Sequence, residues 1–229
     1  MTASTMTTAS PTRTEPPRPV PPPDCPLCPR LAAFRQASRA AEPAWHNAPV
    51  GSFGPADAPL VIVGLAPGLR GANRTGRPFT GDYAGEVLYP ALLAHGLAHG
   101  RFAADPGDGL ELVGARIANA VRCVPPQNKP TPAEIATCNR FLVPELTAGV
   151  PPRVILVLGR VAHAAALRAL GIPASRYPFG HGAEHRLPTG QALIASYHTS
   201  RYNVNTGVLT PAMFDVVVRR AAALVAEGA

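Results

Sequence analysis

The chain has 229 residues, 46% of them hydrophobic, enough for one sizeable core without requiring a second domain. Its formal net charge is +7, with Arg far outnumbering Lys; this favours an anionic partner, nucleic acid first, although a coding bias toward Arg, Ala and Pro gives the same balance. No run is long enough to cross a bilayer and no continuous apolar stretch resembles a secretion signal, so a helical membrane protein is excluded and a soluble, intracellular protein is expected.

Residues 1–23 hold seven prolines and no apolar periodicity, and are expected to form a disordered tail ahead of one folded domain at 24–229. Cys25 to Ala40 reads as a short helix behind a cysteine pair, and Pro55 to Pro59 as a turn. The apolar run Leu60 to Leu65 reads as a buried strand, followed by a Gly-rich loop, "GLRGANRTGRPFTGD". Gly85 to Leu97 has helical spacing, and Ala103 to Gly109 is a polar connection. A strand is expected over Arg116 to Val121. Thr131, Pro132 and Glu134 make a capping box for a helix running to about Thr147. Arg153 to Gly159 is the plainest strand; a helix to Leu170, closed by Gly171, follows. Arg186 to Gly190 reads as a hairpin tip, Gln191 to Tyr197 as a strand, and Thr210-Pro211 as the start of the last helix. This alternation implies a three-layer α/β/α fold with a mainly parallel, four-stranded central sheet. In such sheets the site lies beyond the carboxyl ends of the strands, where residues 66–82, 119–129 and 198–207 meet.

The Gly-rich loop lacks G-x-G-x-x-G spacing and no G-K-[ST] follows, which argues against a nucleotide-cofactor loop. Its glycines can still present N–H groups to a phosphate, and Arg70, Arg74 and Arg77 add charge. Asp82 is either an ion-pair partner of Arg74 or Arg77, or a carboxylate that positions a water. Phe79 is either core or a stacking platform for a base. His198, in "SYHTSRYN", is either a histidine satisfied by backbone or part of a polar, phosphate-contacting cluster. His163 is expected to pack within its helix; His46, His95 and His99 have no constellation around them. Cys25 and Cys28 form C-x-x-C, while Cys123 and Cys138 are separated by fourteen residues, too far for a zinc-ribbon knuckle. A single iron–sulfur site held by all four cysteines is the reading this spacing favours, against buried thiols with a chance C-x-x-C.

Together "GLAPGLRGANRTGRPFTGD", "NAVRCVPPQNKP" and "SYHTSRYNVNTG" resemble the uracil-DNA glycosylase superfamily, and more narrowly its family 5, the B-type iron–sulfur enzymes of prokaryotes, over roughly residues 24–225. The resemblance implies a DNA repair glycosylase that flips uracil out of DNA and hydrolyses the N-glycosidic bond to leave an abasic site, accepting deaminated purines as well. It implies a [4Fe–4S] cluster on Cys25, Cys28, Cys123 and Cys138, stapling the N-terminal knuckle to the second strand and following helix. Asp82 is then the acid near the anomeric carbon, Asn119 reads the Watson–Crick edge through its amide, and His198 stabilises charge on the leaving base. Gly64, Ala66, Pro67, Gly68, Phe79, Asn119, Ser200 and Arg201 line the substrate site, with Phe79 stacked on the extruded base. DNA is the implied partner, with no membrane, and the expected state is a cytoplasmic, nucleoid-associated monomer. The chain departs from the family pattern in carrying His198-Thr199-Ser200 for the usual His-Pro-Ser, and Arg70 beside Leu69 where members often have His. The alternative function is a non-catalytic iron–sulfur nucleic-acid-binding protein, in which Asp82 is a salt-bridge partner.

Overall fold

The computed structural model describes residues 19–227. Residues 1–18, the greater part of the expected tail, lie outside them; of its last residues, Pro21 is buried and the Pro22 carbonyl accepts the Cys25 N–H at 2.9 Å.

In chain order the elements are α1 (Pro29–Ala41), β1 (Leu60–Gly64), α2 (Ala72–Thr75), α3 (Tyr83–Ala94), β2 (Ala98–His99), β3 (Glu111–Leu112), β4 (Ala115–Asn119), α4 (Pro132–Cys138), α5 (Val143–Thr147), β5 (Val154–Leu158), α6 (Arg160–Ala169), β6 (Glu184–Arg186), β7 (Ala192–Ser196), α7 (Arg201–Asn205) and α8 (Pro211–Ala226). The central sheet has the order β4-β1-β5-β7-β6. Its first four strands are parallel and β6 runs antiparallel to β7. The sheet therefore has five strands rather than the four expected. The fifth is "EHR", a polar edge strand that buries little and so leaves no apolar signal in the sequence.

Every residue of β1, β5 and β7 is buried, as both faces of the sheet are covered. On one face Ile62, Leu156 and Ile194 pack with Leu88 and Leu92 of α3 and Phe214 and Val218 of α8. On the other, Val61, Val63, Ile155 and Val157 pack with Ala162, Ala166 and Leu167 of α6 and Leu146 of α5. At the outer edge of β4, Phe53 and Ile117 exchange backbone hydrogen bonds at 2.9 and 2.7 Å, an antiparallel bridge that pairs part of that edge.

The capping box at Thr131 forms, its side chain accepting from the Glu134 N–H at 3.2 Å while Glu134 accepts the Thr131 N–H at 2.8 Å. The single helix expected to Thr147 does not: α4 ends at Cys138, a 3-10 turn follows over Asn139–Phe141, and α5 restarts at Val143. Pro144 cannot donate within a continuous helix and restricts the residue before it. Asn139 is drawn aside as well, donating through Nδ2 to the Ala165 carbonyl at 2.9 Å. The expected closure of α6 is present, with Gly171 at φ +68.

Candidate active site

β1 and β4 run in register, so Gly64 and Asn119 end their strands side by side at the carboxyl edge of the sheet. The chain leaving β1 wraps the edge through Ala66, Pro67 and Gly68, makes the short α2, and returns through Phe79 to Asp82 at the start of α3. The chain leaving β7 brings in His198, Ser200 and Arg201. Ala66, Gly68, Arg70, Asp82, His198, Ser200 and Arg201 line a cleft of about 680 Å³. Three stretches far apart in sequence thus meet where an open parallel sheet places its site.

Close approaches explain two glycines of the first loop. A side chain at Gly64 would meet both the Asn119 amide and the Phe79 ring edge, the latter at 2.7 Å. One at Gly71 would run into the Asp82 carboxyl carbon at 2.7 Å. The Gly71 N–H donates to the Gly68 carbonyl at 3.2 Å, so it is spent inside the loop. This glycine makes room for the acid, and its own N–H is not directed at a phosphate.

Among the described residues, Asp82 pairs with no arginine. Arg77 is buried and binds Asp108 through both guanidinium nitrogens at 2.8 Å, while Arg74 Nε donates to the Arg70 carbonyl at 2.9 Å. Asp82 sits at the N-cap position of α3 without a capping bond from its side chain, and Oδ1 is buried with no hydrogen-bond partner. Burial raises its pKa above the usual carboxylate value; the nearby backbone N–H groups of Ala84 and Gly85 oppose that rise and Glu86 adds to it.

Asn119 is 3% exposed, and its Oδ1 is likewise buried and without a partner. Unpartnered buried polar atoms are rare and each costs about 1–3 kcal/mol. Phe79 is buried at φ 52, the left-handed region, where a non-glycine residue costs about 1–3 kcal/mol. Its ring lies 6.0 Å from that of His198 at an interplanar angle of 27°. Burial pushes His198 down to about 4, so the imidazole is neutral at physiological pH and carries one N–H it can donate. The side chain of Asn203 donates to the His198 carbonyl at 2.8 Å, holding the segment, and the Ser200 hydroxyl caps α7 by accepting from the Asn203 N–H at 3.3 Å. The Arg201 guanidinium lies 5.3 Å from the Tyr83 ring centroid. Thr199, which stands where the family usually has proline, is fully buried, and its hydroxyl has no partner.

Among the lining residues that the sequence did not single out are Tyr83, Ala84 and Asn128. Asn128 follows Gln127, both at positive φ (56 and 57), and the asparagine after a Pro-Pro pair was the one signal of such a turn. His163 packs in α6 as expected, 5.6 Å from the Phe179 ring. His95, read as isolated, pairs with Asp215 at 2.7 Å across α3 and α8.

The four cysteines come together elsewhere, between the segment before α1, the chain after β4 and the end of α4. Cys25, Cys28, Cys123 and Cys138 line one pocket with Leu31 and Arg35, and none forms a disulfide. Arg35 Nη1 lies 3.5 Å from Cys123 Sγ, and the Arg122 N–H donates to Cys138 Sγ at 3.3 Å. Among the described residues, no three His, Cys, Asp or Glu side chains close on a point as the ligands of a single ion do.

The sheet edge thus gathers an amide with an unpartnered oxygen, a half-buried acid, a neutral imidazole and an aromatic ring. Residues 51–222 match the model of the uracil DNA glycosylase superfamily, and the chain belongs to that family, whose members hydrolyse N-glycosidic bonds. It is similar to the type-5 uracil-DNA glycosylase of Thermus thermophilus, 48% identical over 203 residues that cover 86% of this chain and 92% of the relative. It is 42% identical over 206 residues to the type-5 enzyme of Mycobacterium tuberculosis, covering 86% of this chain and 76% of that one. A type-4 uracil-DNA glycosylase of Archaeoglobus fulgidus matches at 38% over 106 residues, 46% of this chain and 45% of the relative.

Proposed function

We propose that Phe79, Asp82, Asn119 and His198 carry out the excision of uracil from DNA that the family and its type-5 relatives bring to this chain. The observation that carries the assignment is the pair of buried, unpartnered oxygens, Asp82 Oδ1 and Asn119 Oδ1, at one sheet edge. A protein holds such groups unpaired where a ligand completes them. The target base is buried in a duplex and must be flipped out, at a cost of a few kcal/mol, less for a mismatched base. Phe79 then offers a face for stacking, and the Asn119 amide reads the Watson–Crick edge. Cleavage builds positive charge on the sugar and negative charge on the departing base. The Asp82 carboxylate, raised in basicity by burial, stabilises the first and orients the attacking water; neutral His198 donates to the second. Arg70 and Arg201 at the rim suit the flanking phosphates. Arg77 does not share that task, because Asp108 occupies it. The non-catalytic alternative is not favoured, since it needs Asp82 as a salt-bridge partner.

The cysteine pocket suits a [4Fe–4S] cluster. Four unlinked thiols share it, and an arginine and a backbone N–H donate toward two of the sulfurs. Each cysteine of a cubane binds a different iron, so a single-ion cage is not required. When bound, the cluster supplies a covalent staple between the segment before α1 and the β4–α4 region. A DNA substrate fits a cytoplasmic, nucleoid-associated enzyme, and we take it to act as a monomer.

The test is a duplex carrying one central uracil, treated with protein purified anaerobically. Alkali-labile cleavage at that position is expected, with none in the thymine control; no cleavage sinks the assignment. A brown absorbance band near 400 nm is expected of the same preparation and is absent if the cluster reading is wrong.

A further inference from the structure

We propose that the buried Arg77–Asp108 ion pair is a positioning device for excision, locking the backbone on both sides of Phe79 so that its ring stays in the base site. The proposal rests on the reading of Phe79 as the stacking face.

Arg77 is 6% exposed and lies 31 residues from its partner. The pairing is fork to fork: Nη1 donates to Oδ1 and Nη2 to Oδ2, both at 2.8 Å. The carboxylate is held in turn by the N–H groups of Ala103 at 2.8 Å and Leu110 at 3.0 Å, and the arginine and these bonds keep it well below the usual carboxylate range. The guanidinium Nε–H donates to the Thr80 hydroxyl at 2.7 Å. The guanidinium carbon lies 5.3 Å from the Phe53 ring centroid and 5.5 Å from that of Tyr89. Tyr89 donates through its hydroxyl to the Pro78 carbonyl at 2.6 Å, and Thr75 Oγ1 donates to the Thr80 carbonyl at 2.9 Å.

These bonds converge on Pro78 and Thr80, the two neighbours of Phe79. Between them Phe79 holds φ 52, and the segment is flanked by Gly76 and Gly81 at φ 80 and 89. A strained residue between two permissive ones relaxes unless its surroundings over-determine it. Relaxation of Phe79 to negative φ would swing the ring away from Asn119 and His198. Buried ion pairs contribute little net stability compared with well-packed apolar residues of the same volume. What this one adds is conformational specificity: the planar fork binds a carboxylate, a hydroxyl and two rings at once, which an ammonium group cannot do.

The experiment measures single-turnover excision from a uracil duplex, affinity for a duplex with a cleavage-resistant 2′-fluorinated uracil nucleotide, and thermal midpoint. The variants are Asp108→Asn, Arg77→Lys, Phe79→Ala, the double variant Phe79→Ala/Asp108→Asn, and Leu167→Ala. Leu167→Ala opens a cavity on the opposite face of the sheet and serves as a stability-matched control. Asp108→Asn and Arg77→Lys are expected to lose at least tenfold in rate, with duplex affinity within threefold of the parent and Leu167→Ala within twofold in rate. Asp108→Asn is expected to add nothing once Phe79 is absent. Parental rates in both clasp variants with Phe79→Ala impaired overturn the clasp while leaving the Phe79 reading intact. Parental rate in Phe79→Ala overturns that reading first. Equal rate losses in Asp108→Asn and Leu167→Ala at equal thermal midpoint mean a structural pair only. Should Asp108→Asn fail to fold, Arg77→Lys carries the decision by the same criteria.

Discussion

Two buried polar regions of this molecule are built on opposite rules. Behind the sheet edge, Glu145 accepts from Arg116 Nε at 2.7 Å, from Arg122 Nη2 at 3.0 Å and from the Ser52 hydroxyl, and its pKa is pushed down to about 2 by these partners against the effect of its own burial. Half-buried Asp82 in the cleft and buried Asn119 at the strand end each keep one buried oxygen without a partner, and burial shifts Asp82 upward with no cation to offset it. The first region spends its charges on itself and holds segments together. The second keeps its capacity for a substrate, and the cost is local instability. The two acids differ in their partners: Glu145 is matched by two arginines, and Asp82 by none among the described residues.

The sharpest way to break this distinction is Asp82→Ala. It is expected to lose excision by about 10²–10⁴-fold, the range for a positioned acid or base, while duplex binding persists and the thermal midpoint holds or rises. A rate within threefold of the parent in a uracil-release assay would make Asp82 structural. The converse is Glu145→Ala, expected to destabilise by about 3–5 kcal/mol because it leaves Arg116 and Arg122 without their carboxylate, with the excision rate per folded molecule unchanged; urea unfolding beside an activity titration reads both. Asn119→Asp replaces an amide donor with an acceptor and is expected to erode uracil-over-cytosine selectivity by about tenfold, worth ~1.4 kcal/mol, measured as the ratio of excision rates. The smallest effect is on pH. Asp82 has a raised pKa and works ionised, so the rate is present above that pKa and falls as pH drops through it. His198 stays neutral until about pH 4 and does not set this limb. Stability has a different window: the unfolded chain protonates His198 near its ordinary value of about 6.5, the folded chain only near 4, so stability is lost as pH falls between them. A rate limb identical in parent and Asp82→Asn would show that another group titrates.

The sequence made the scaffold legible where physics acts locally. Apolar runs marked β1, β5 and β7, a mixed stretch around Ile117 marked β4, and the capping box at Thr131 and the glycine at 171 marked helix ends. It was silent where the deciding contact is distant. β6 is charged and buries little, so it looks like loop, and the break between α4 and α5 depends on a partner carbonyl in α6 as well as on Pro144. The site divides the same way. Its three motifs were visible, but whether Asp82 pairs with Arg77 turned on Asp108, in a stretch read as a mere connection. Tyr83 and Asn128 border the cleft by virtue of fold geometry, with little in their own types to announce it.

The treatment of the two sheet edges has a consequence for behaviour in a crowded cell. An open strand edge invites a strand from another molecule. Here β4 is partly occupied by its own chain at Phe53, and β6 carries Glu184 and Arg186, with Glu184 clasped by Arg220 at 2.8 and 2.9 Å. A part-paired edge on one side and a charged edge on the other disfavour the addition of a strand from a second molecule.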